Sequence, residues 1–587
     1  MSARELITEH LDLWTGAVTK KSSSGRGSNG KVKLTGVKKL RELILDLALK
    51  GRLSERFIED QPAEQLIEQF FLHKEKIVKD GELRRQKKLP EITDQEHEYK
   101  IPETWQVERL ARLSHQITKG TTPTSIGLSF SEKGVNFVKV ENLRDGCIDL
   151  NNAQFISEDT HQALQRSQLE AGDILFSIAG TIGKTAIVQH KDTPANTNQA
   201  LAIIKGTAEV FTERFLKLQL DSFVSAKAKN KARGGAMNNI SLGDLSNLVV
   251  LVPPREEQHR IVQKVDELMA LCDRLEQQTN DQLEAQETLV DTLLGTLTES
   301  ENATELADNW ARLAAHFDTL ITTEQCIDKL KQTILQLAVM GRLVEQSPFE
   351  GNSSVLLQEI TDEKNRLVET GALKRKKNNF SRNECELFAL PSTWSWVISN
   401  EICALITDGE HNTPERTSDA TAVPLATAKN VRDGYIDLAN TDFVPLGVAE
   451  TCWKRCKPEV GDILMVSVGA TLGRLAMMRD SQDMVLVRSV TLLRPMKVLG
   501  EYLAVYLRAP TTQSWIWRNV RQSAQPCLYL SKSSSIPIGL PPLAEQHRIV
   551  QKVDELMALC DKLKERLNQA SETRCQLAEA VVEEALN

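Results

Sequence analysis

The stretch EQHRIVQKVDELMALCD occurs at residues 257–273 and again at 545–561. The two 17-residue copies lie 288 positions apart in a chain of 587, so the chain is a tandem duplication. A Pro-Pro pair precedes each copy, Pro253 and Pro254 in one and Pro541 and Pro542 in the other. Proline is tolerated in the first turn of a helix but not inside one, so each copy reads as the abrupt start of a helix.

Working outward, KLRELILDLALKGRL (39–53) returns as KLKQTILQLAVMGRL (329–343), and DGELRR (80–85) as TGALKR (370–375). Between these flanks the repeat survives only in outline. NLRDGCIDL (142–150) returns as NVRDGYIDL (430–438), and GDILFSIAGTIGK (172–184) as GDILMVSVGATLGR (461–474). A duplication kept only for packing would drift more evenly. Near-identical ends around divergent middles suit a protein whose middles read two different things while its ends meet each other or one shared partner.

The flanks are helical. Leu40, Leu43, Ile44, Leu47 and Ala48 recur at three- and four-residue spacing before a stop at Gly51, and Leu330, Ile334, Leu337, Ala338 and Gly341 repeat the arrangement. After each Pro-Pro pair the apolar steps alternate between four and three. They run through Ile261, Val265, Leu268, Cys272 and Leu275 in one copy and Ile549, Val553, Leu556, Cys560 and Leu563 in the other, which is the seam of a coiled coil. Two such helices in one chain are expected to pack on each other; the alternative is that each packs on its own domain. A run of about 40 helical residues extends ~60 Å, enough to hold two domains more than one turn of DNA apart.

The middles change character. VNFVKV, DILFSI, LAIIKG and NLVVLVP, separated by turn residues, read as strands. The expected fold is α+β, with two mixed domains in pseudo-twofold arrangement joined by long antiparallel coiled-coil helices, plus an N-terminal helical region. The chain divides into an N-terminal helix and flexible linker (1–35), a helical region (36–100), a first mixed domain (101–253), a long helix and connector (254–320), a second helical region (321–389), a second mixed domain (390–541) and a C-terminal helix (542–587). KKSSSGRGSNGK (20–31) is the flexible linker by composition.

A hydrophobic content of 41% supports ordinary cores, and no apolar run approaches the ~20 residues that cross a bilayer, so a cytoplasmic protein is expected. Ten cysteines in so long a chain make no disulfide framework. Cys452 and Cys456 lack a second ligand pair nearby, and Cys272 and Cys560 fall on the apolar seam, so no metal site is expected. The net charge of −8 argues against a simple nucleic-acid coat, but the sign is segregated. Lys217, Lys227, Lys229, Lys231 and Arg233 cluster with Asp221 as their only acid, while Arg508, Arg518 and Arg521 interleave with Tyr506, Trp515 and Trp517.

Catalytic chemistry does not emerge. GTIGKT (180–185) ends like a phosphate loop, but Ile178 stands where the first glycine belongs, and the second copy has Arg474 with no following Ser or Thr. The glycines read as a tight strand connection. The Pro-Pro pairs do not follow the Asn or Asp that an amino-methyltransferase uses, and His259 and His547, beside Glu257 and Glu545, suit helix capping and packing.

With these pieces together the chain resembles the specificity subunit (HsdS) of type I restriction-modification enzymes from about residue 36 to the end. The resemblance is carried by the paired PP-x-x-EQHRIV segments, the paired GDIL segments, ANTNQALAII (195–204), and the openings TKGTTP (118–123) and TDGEHNTP (407–414). The added N-terminal region and the size are similar to the type IB branch. The resemblance implies a non-catalytic DNA-recognition subunit. Each target recognition domain would read one half of a bipartite double-stranded target, and the chain would recruit two methyltransferase subunits and restriction/translocase subunits. It also implies that this chain binds no cofactor, with S-adenosylmethionine, ATP and Mg held by the partner subunits.

Candidate DNA contacts are the loop with Lys119, Thr121 and Thr122, its counterpart with Glu410, His411 and Asn412, the stretch with Lys227, Lys229, Lys231 and Arg233, and Arg518 and Arg521. Lys119 becomes Asp408, so the two loops cannot make the same contact. Two rival readings stand beside this one: a self-sufficient methyltransferase with an unrecognised active site, and a coiled-coil scaffold without a DNA role.

Overall fold

A computed structural model describes residues 9–20, 32–86, 88–93, 96, 101–232, 240–300, 303–373, 386–521 and 525–586. The chain forms two compact units, one of residues 1–281 and 571–587, the other of residues 282–570.

In the first unit, helix Leu11–Gly16 leads into a hairpin of Val18–Lys20 against Val32–Leu34. The N-terminal helix expected ahead of the linker therefore ends at Gly16, and the β-branched Val18 and Thr19 favour a strand. The linker expected at 20–31 lies, beyond Lys20, outside the described residues. Helix Thr35–Leu49 follows and buries Leu40, Leu43, Ile44 and Leu47. It stops at Gly51, whose φ of 64° brings Pro102 and Trp105 to within 2.7 and 3.1 Å of where a Cβ would sit. The second unit repeats the device with helix Glu324–Val339 and Gly341, φ 68°, against Pro391 and Trp394. A charged helix comes next in each, Ala63–Lys79 and Ser353–Glu369.

Each mixed domain is built on a four-stranded antiparallel sheet. In the first unit Gln116–Lys119 pairs with Leu201–Lys205, which pairs with Ile174–Ser177, which pairs with Thr185–Ile187. In the second the order is Cys403–Asp408, Val490–Pro495, Ile463–Val466 and Leu475–Met477. A smaller sheet stands beside each, with one parallel pairing apiece: Ala195–Thr197 on Val135–Val138, and Val485–Leu486 on Val423–Ala426. The glycine segments GTIGK and GATLG are the hairpin turns between the last two strands of the main sheets, with Gly183 and Gly473 at φ near 90°. Lys184 spends its ammonium on the Leu143 carbonyl, 3.1 Å away.

Helices Arg255–Glu299 and Leu543–Leu586 begin directly after the Pro-Pro pairs. Their seams are filled at home. Ile261, Val265, Leu268 and Cys272 are buried, and Leu275 partly so, in the same core as Leu40, Leu43, Ile44 and Leu47. Ile549, Val553 and Cys560 are buried, and Leu556 and Leu563 partly so, with Leu330, Ile334 and Leu337. The shorter helix in each unit, with an apolar stripe of the same spacing, contributes to the same core as the seam. Within the first unit the end of the C-terminal helix also joins the core through Ala578, Val581 and Val582. Within the second, Val290, Leu294 and Leu297 do so.

The repeated EQHR fastens each long helix to its unit. Glu257, fully buried, accepts the Trp105 indole N–H at 2.9 Å and the Ser54 hydroxyl at 3.2 Å. Glu545 accepts Trp394 at 3.0 Å and Gln346 at 2.6 Å. Gln258 and Gln546 accept the backbone amides of Thr212 and Leu499, and Arg260 and Arg548 pair with Asp60 and Glu350. His259 and His547 point to solvent. Among the described residues no helix is long and apolar enough to cross a membrane.

Candidate nucleic-acid interface

Antiparallel pairing sends the end of the first strand, the start of the second and the end of the third to one edge of each main sheet. Backbone hydrogen bonds then stitch four segments together along that edge. In the first unit the Gly120 amide donates to Leu201 (3.2 Å) and the Thr121 amide to Thr197 (2.9 Å). Ile178 at the hairpin turn donates to Ala200 (2.9 Å), and Ile240 donates to Ile178 (3.3 Å). The second unit repeats the series. Gly409 donates to Val490 (3.2 Å), Glu410 to Leu486 (2.7 Å), Ser467 to Ser489 (2.9 Å) and Leu528 to Ser467 (2.9 Å). Gly120 and Gly409 are required, because a Cβ would lie 2.1 and 2.2 Å from the neighbouring backbone.

This register makes Lys119 equivalent to Asp408, Thr121 to Glu410, Thr122 to His411, and Gln199 to Arg488. Gln199 and Arg488, both exposed, were not among the residues the sequence pointed to. They lie in ANTNQALAII and its counterpart VLVRSVTLL, two segments that share the apolar strand pattern but no residue, so only their place just before the strand could have pointed to them.

Lys119 is exposed at the end of its strand, and Thr121 and Thr122 are half-buried. The Thr122 hydroxyl donates to the Gln199 side-chain oxygen. In the second unit Glu410 folds its carboxylate over the amides of His411 (3.0 Å) and Asn412 (3.2 Å). His411 Nε2 lies 2.7 Å from Asp408 Oδ2 and 3.1 Å from Arg455, which also binds Asp408. Partial burial works against the Asp408 charge, but Arg455 and His411 outweigh it and hold the carboxyl below its usual range. One loop is thus a short polar strip with a cation unpaired among the described residues, and the other a closed charged cluster.

Of the basic stretches, only Arg521 is tied to this edge among the described residues. Lys227, Lys229 and Lys231 belong to helix Glu213–Ala232, with side chains outside the description, and Arg233 lies outside the described residues. Arg518 ends helix Pro510–Arg518 and is exposed. Arg521 donates to the Tyr529 hydroxyl at 2.8 Å and pairs by its backbone with Cys527, next to the Leu528 that meets the hairpin turn. Other basic residues serve the framework. Lys217 pairs with Asp221 at 2.6 Å, and Arg508 with Asp433 at 3.3 Å, each beside an Arg-Asp-Gly turn. Cys452 and Cys456 are buried, and burial pushes the Cys456 thiol up to about 12. Cys272, buried in the core, is pushed up to about 11 for the same reason.

Comparison with known proteins accounts for both halves of the repeat. The family model of the type I restriction modification DNA specificity domain matches residues 102–285 and 432–572. The chain is 32% identical to the specificity subunit of the type I restriction enzyme EcoEI of Escherichia coli, over 100% of both chains. It is 31% identical to the EcoAI specificity subunit of Escherichia coli, again over 100% of both. Among solved structures it is similar to the HsdS subunit from Thermoanaerobacter tengcongensis, with 19% identity and a TM-score of 0.42 over 84% of this chain and 98% of that one.

Proposed function

The chain belongs to the type I restriction-modification specificity subunits, and from that premise we propose how its two halves divide the work. It is the DNA sequence-recognition subunit and not itself the enzyme. Each mixed domain reads one half of a bipartite double-stranded target with the edge of its main sheet. The two long helices, antiparallel about a pseudo-twofold axis, set the distance between the half-sites. The repeated helical framework engages two methyltransferase subunits, which restriction/translocase subunits join in the cytoplasm. S-adenosylmethionine, ATP and Mg belong to those partners.

The observation that carries this reading is the pair of sheet edges. The same four segments are stitched by the same backbone bonds, yet Lys119, Thr121, Thr122 and Gln199 of one edge become Asp408, Glu410, His411 and Arg488 of the other. Phosphate contacts position a protein on DNA and base-edge contacts specify sequence, so a shared backbone with exchanged tips is what two different half-sites demand.

The test is exchange of residues 101–253 for the equivalent domain of another specificity subunit, followed by methylome sequencing of a host carrying the complete system. One half-site should change and the other persist; a change in both would overturn the assignment. Purified alone with S-adenosylmethionine and target duplex, the chain should transfer no methyl groups. Its duplex binding should weaken as salt rises, which a scaffold without a DNA role would not show.

A further inference from the structure

The first unit carries a groove of about 940 Å³ between helix Ala63–Lys79, the segment 84–92 and the strand Gln106–Arg109. Its floor is apolar, with Phe71, Leu89, Ile92 and Val107, and its cations outnumber its carboxylates in a chain that is acidic overall.

Two of those cations are consumed in holding the segment still. Lys74 directs its ammonium at the carbonyls of Ala111, Arg112 and Ser114 (3.2, 2.8 and 2.6 Å) and at the Gln86 side chain (3.1 Å). Arg109, only 3% exposed, donates to the carbonyls of Pro90 (3.3 Å) and Glu91 (3.0 Å) and forms a two-pronged pair with Glu96. Burial pulls the Lys74 ammonium down to about 8, and Arg109 leads the causes that hold the Glu96 carboxyl at about 2. Gln86 on one side, and Pro90 and Glu91 on the other, are therefore held to the body of the unit.

What the pinned segment presents is Arg84, Arg85 and Lys88, all exposed, with no carboxylate at ion-pairing distance among the described residues. Lys79 beside them pairs with Glu75 at 4.0 Å. The second copy carries a basic run at the same register, Lys374, Arg375, Lys376 and Lys377, which lies outside the described residues. These runs belong to the repeated framework and not to the divergent middles.

We propose that Arg84, Arg85 and Lys88 form a sequence-independent contact with the DNA phosphate backbone. An element common to both halves cannot distinguish two half-sites, whereas the backbone is the same at both. Unpaired cations on a fixed segment neutralise phosphates at little ordering cost and release the condensed counterions. The proposal rests on the DNA-recognition reading above and assigns part of its affinity to a region that supplies none of its specificity.

The test compares the full chain with an Arg84→Gln, Arg85→Gln, Lys88→Gln variant, binding a random-sequence duplex and a duplex carrying the methylome motif across a salt series. The plot of log affinity against log salt should lose about 0.9 of slope per phosphate contact removed, so about two to three in all. Both duplexes should lose affinity alike and the recognised motif should stay the same. Lys264→Gln on the long helix is a single-charge control, which should lose little slope, and an unchanged thermal melt excludes misfolding. If the wild-type chain shows no salt-dependent binding, the recognition reading fails. If it binds and the variant's slope is unchanged, this inference alone fails. An unchanged slope with lost co-elution of the methyltransferase subunit would reassign the groove to an acidic protein partner.

Discussion

The start of the long helix and the edge of the main sheet had the same opportunity to diverge after the duplication, and only the sheet edge took it. At the helix start a buried carboxylate receives an indole N–H at 2.9 Å in one unit and 3.0 Å in the other. A glutamine beside it receives a backbone amide in both, and an arginine pairs with an acid in both. At the sheet edge Lys119 faces solvent where Asp408 is locked between His411 and Arg455. The difference follows from burial. A buried carboxylate hydrogen-bonded to a buried donor has no single-step replacement that leaves both groups satisfied, whereas an exposed tip can change without cost to the fold.

The equivalence of the two helix starts can be broken most forcefully by Trp105→Ala and Trp394→Ala. Each removes a nearly buried indole and strands the partner carboxylate, so each should cost ~3–5 kcal/mol in urea unfolding. A large loss from one and none from the other would show that the repeats hold different structural weight. A finer comparison uses pH. Burial raises the Glu257 and Glu545 carboxyls above their ordinary value, against the opposing effect of the Trp hydrogen bonds. A raised folded-state value contributes stability below the unfolded value of 4.5 that is lost as pH climbs through the folded one. The gap between wild type and Glu257→Gln should therefore shift in favour of the Gln variant from acidic to neutral pH, and Glu545→Gln should track it. Opposite slopes would mean that the two sites differ in their charged neighbours.

The framework was legible because its signals are local. A Pro-Pro pair starts a helix, Gly51 and Gly341 stop one, and 3–4 spacing marks the buried stripe. The seam residues were legible as a seam and not by partner, since heptad spacing says that a stripe is covered without saying by what; the stripe on Thr35–Leu49 has the same period as the helix expected to cover it. The bonds of Glu257 to Trp105 and Glu545 to Trp394 span about 150 residues, so IPETW and EQHRIV read as separate punctuation. Gln199 and Arg488 were missed for a related reason. Their place beside the strand-end loop depends on strand order, which no local pattern encodes.

Between the two sheet edges the informative experiments alter what is read and leave the fold intact. Arg488→Ala should relax recognition at one base pair of one half-site by ~1–3 kcal/mol, because arginine is the commonest side chain to grip guanine bidentately. Gln199→Ala should do the same in the other half-site, where a glutamine suits adenine. Methylome sequencing reads both outcomes at once. If Arg488→Ala weakens all sites alike, the residue contacts phosphate, and the comparison narrows to the strand-end loops. Asp408→Lys is a harder test of those loops, because it also opens the cluster with His411 and Arg455. Those partners are about half exposed, so the fold should lose no more than ~1 kcal/mol while the second half-site changes.

The smallest effect concerns the bridges between each shorter helix and its long helix. Arg41 pairs with Asp273 at 2.7 Å, and Lys331 with Asp561 at the equivalent register. Beside them the partners have switched sign: Glu276 serves Arg41 in the first unit, while Lys564 serves Asp328 at 2.9 Å in the second. A position that can hold either sign, with its partner changed to suit, is held by the surrounding geometry more than it holds that geometry. Arg41→Gln and Lys331→Gln should each cost ~0.2–1 kcal/mol in urea unfolding at low ionic strength. The loss should vanish near 1 M salt, where the screening length falls to ~3 Å. A loss of several kcal/mol, or one that persists at high salt, would mean that the ion pairs set the register of the two helices. The buried stripe of Leu40, Leu43, Ile44 and Leu47 against Ile261, Val265 and Leu268 would then be their consequence.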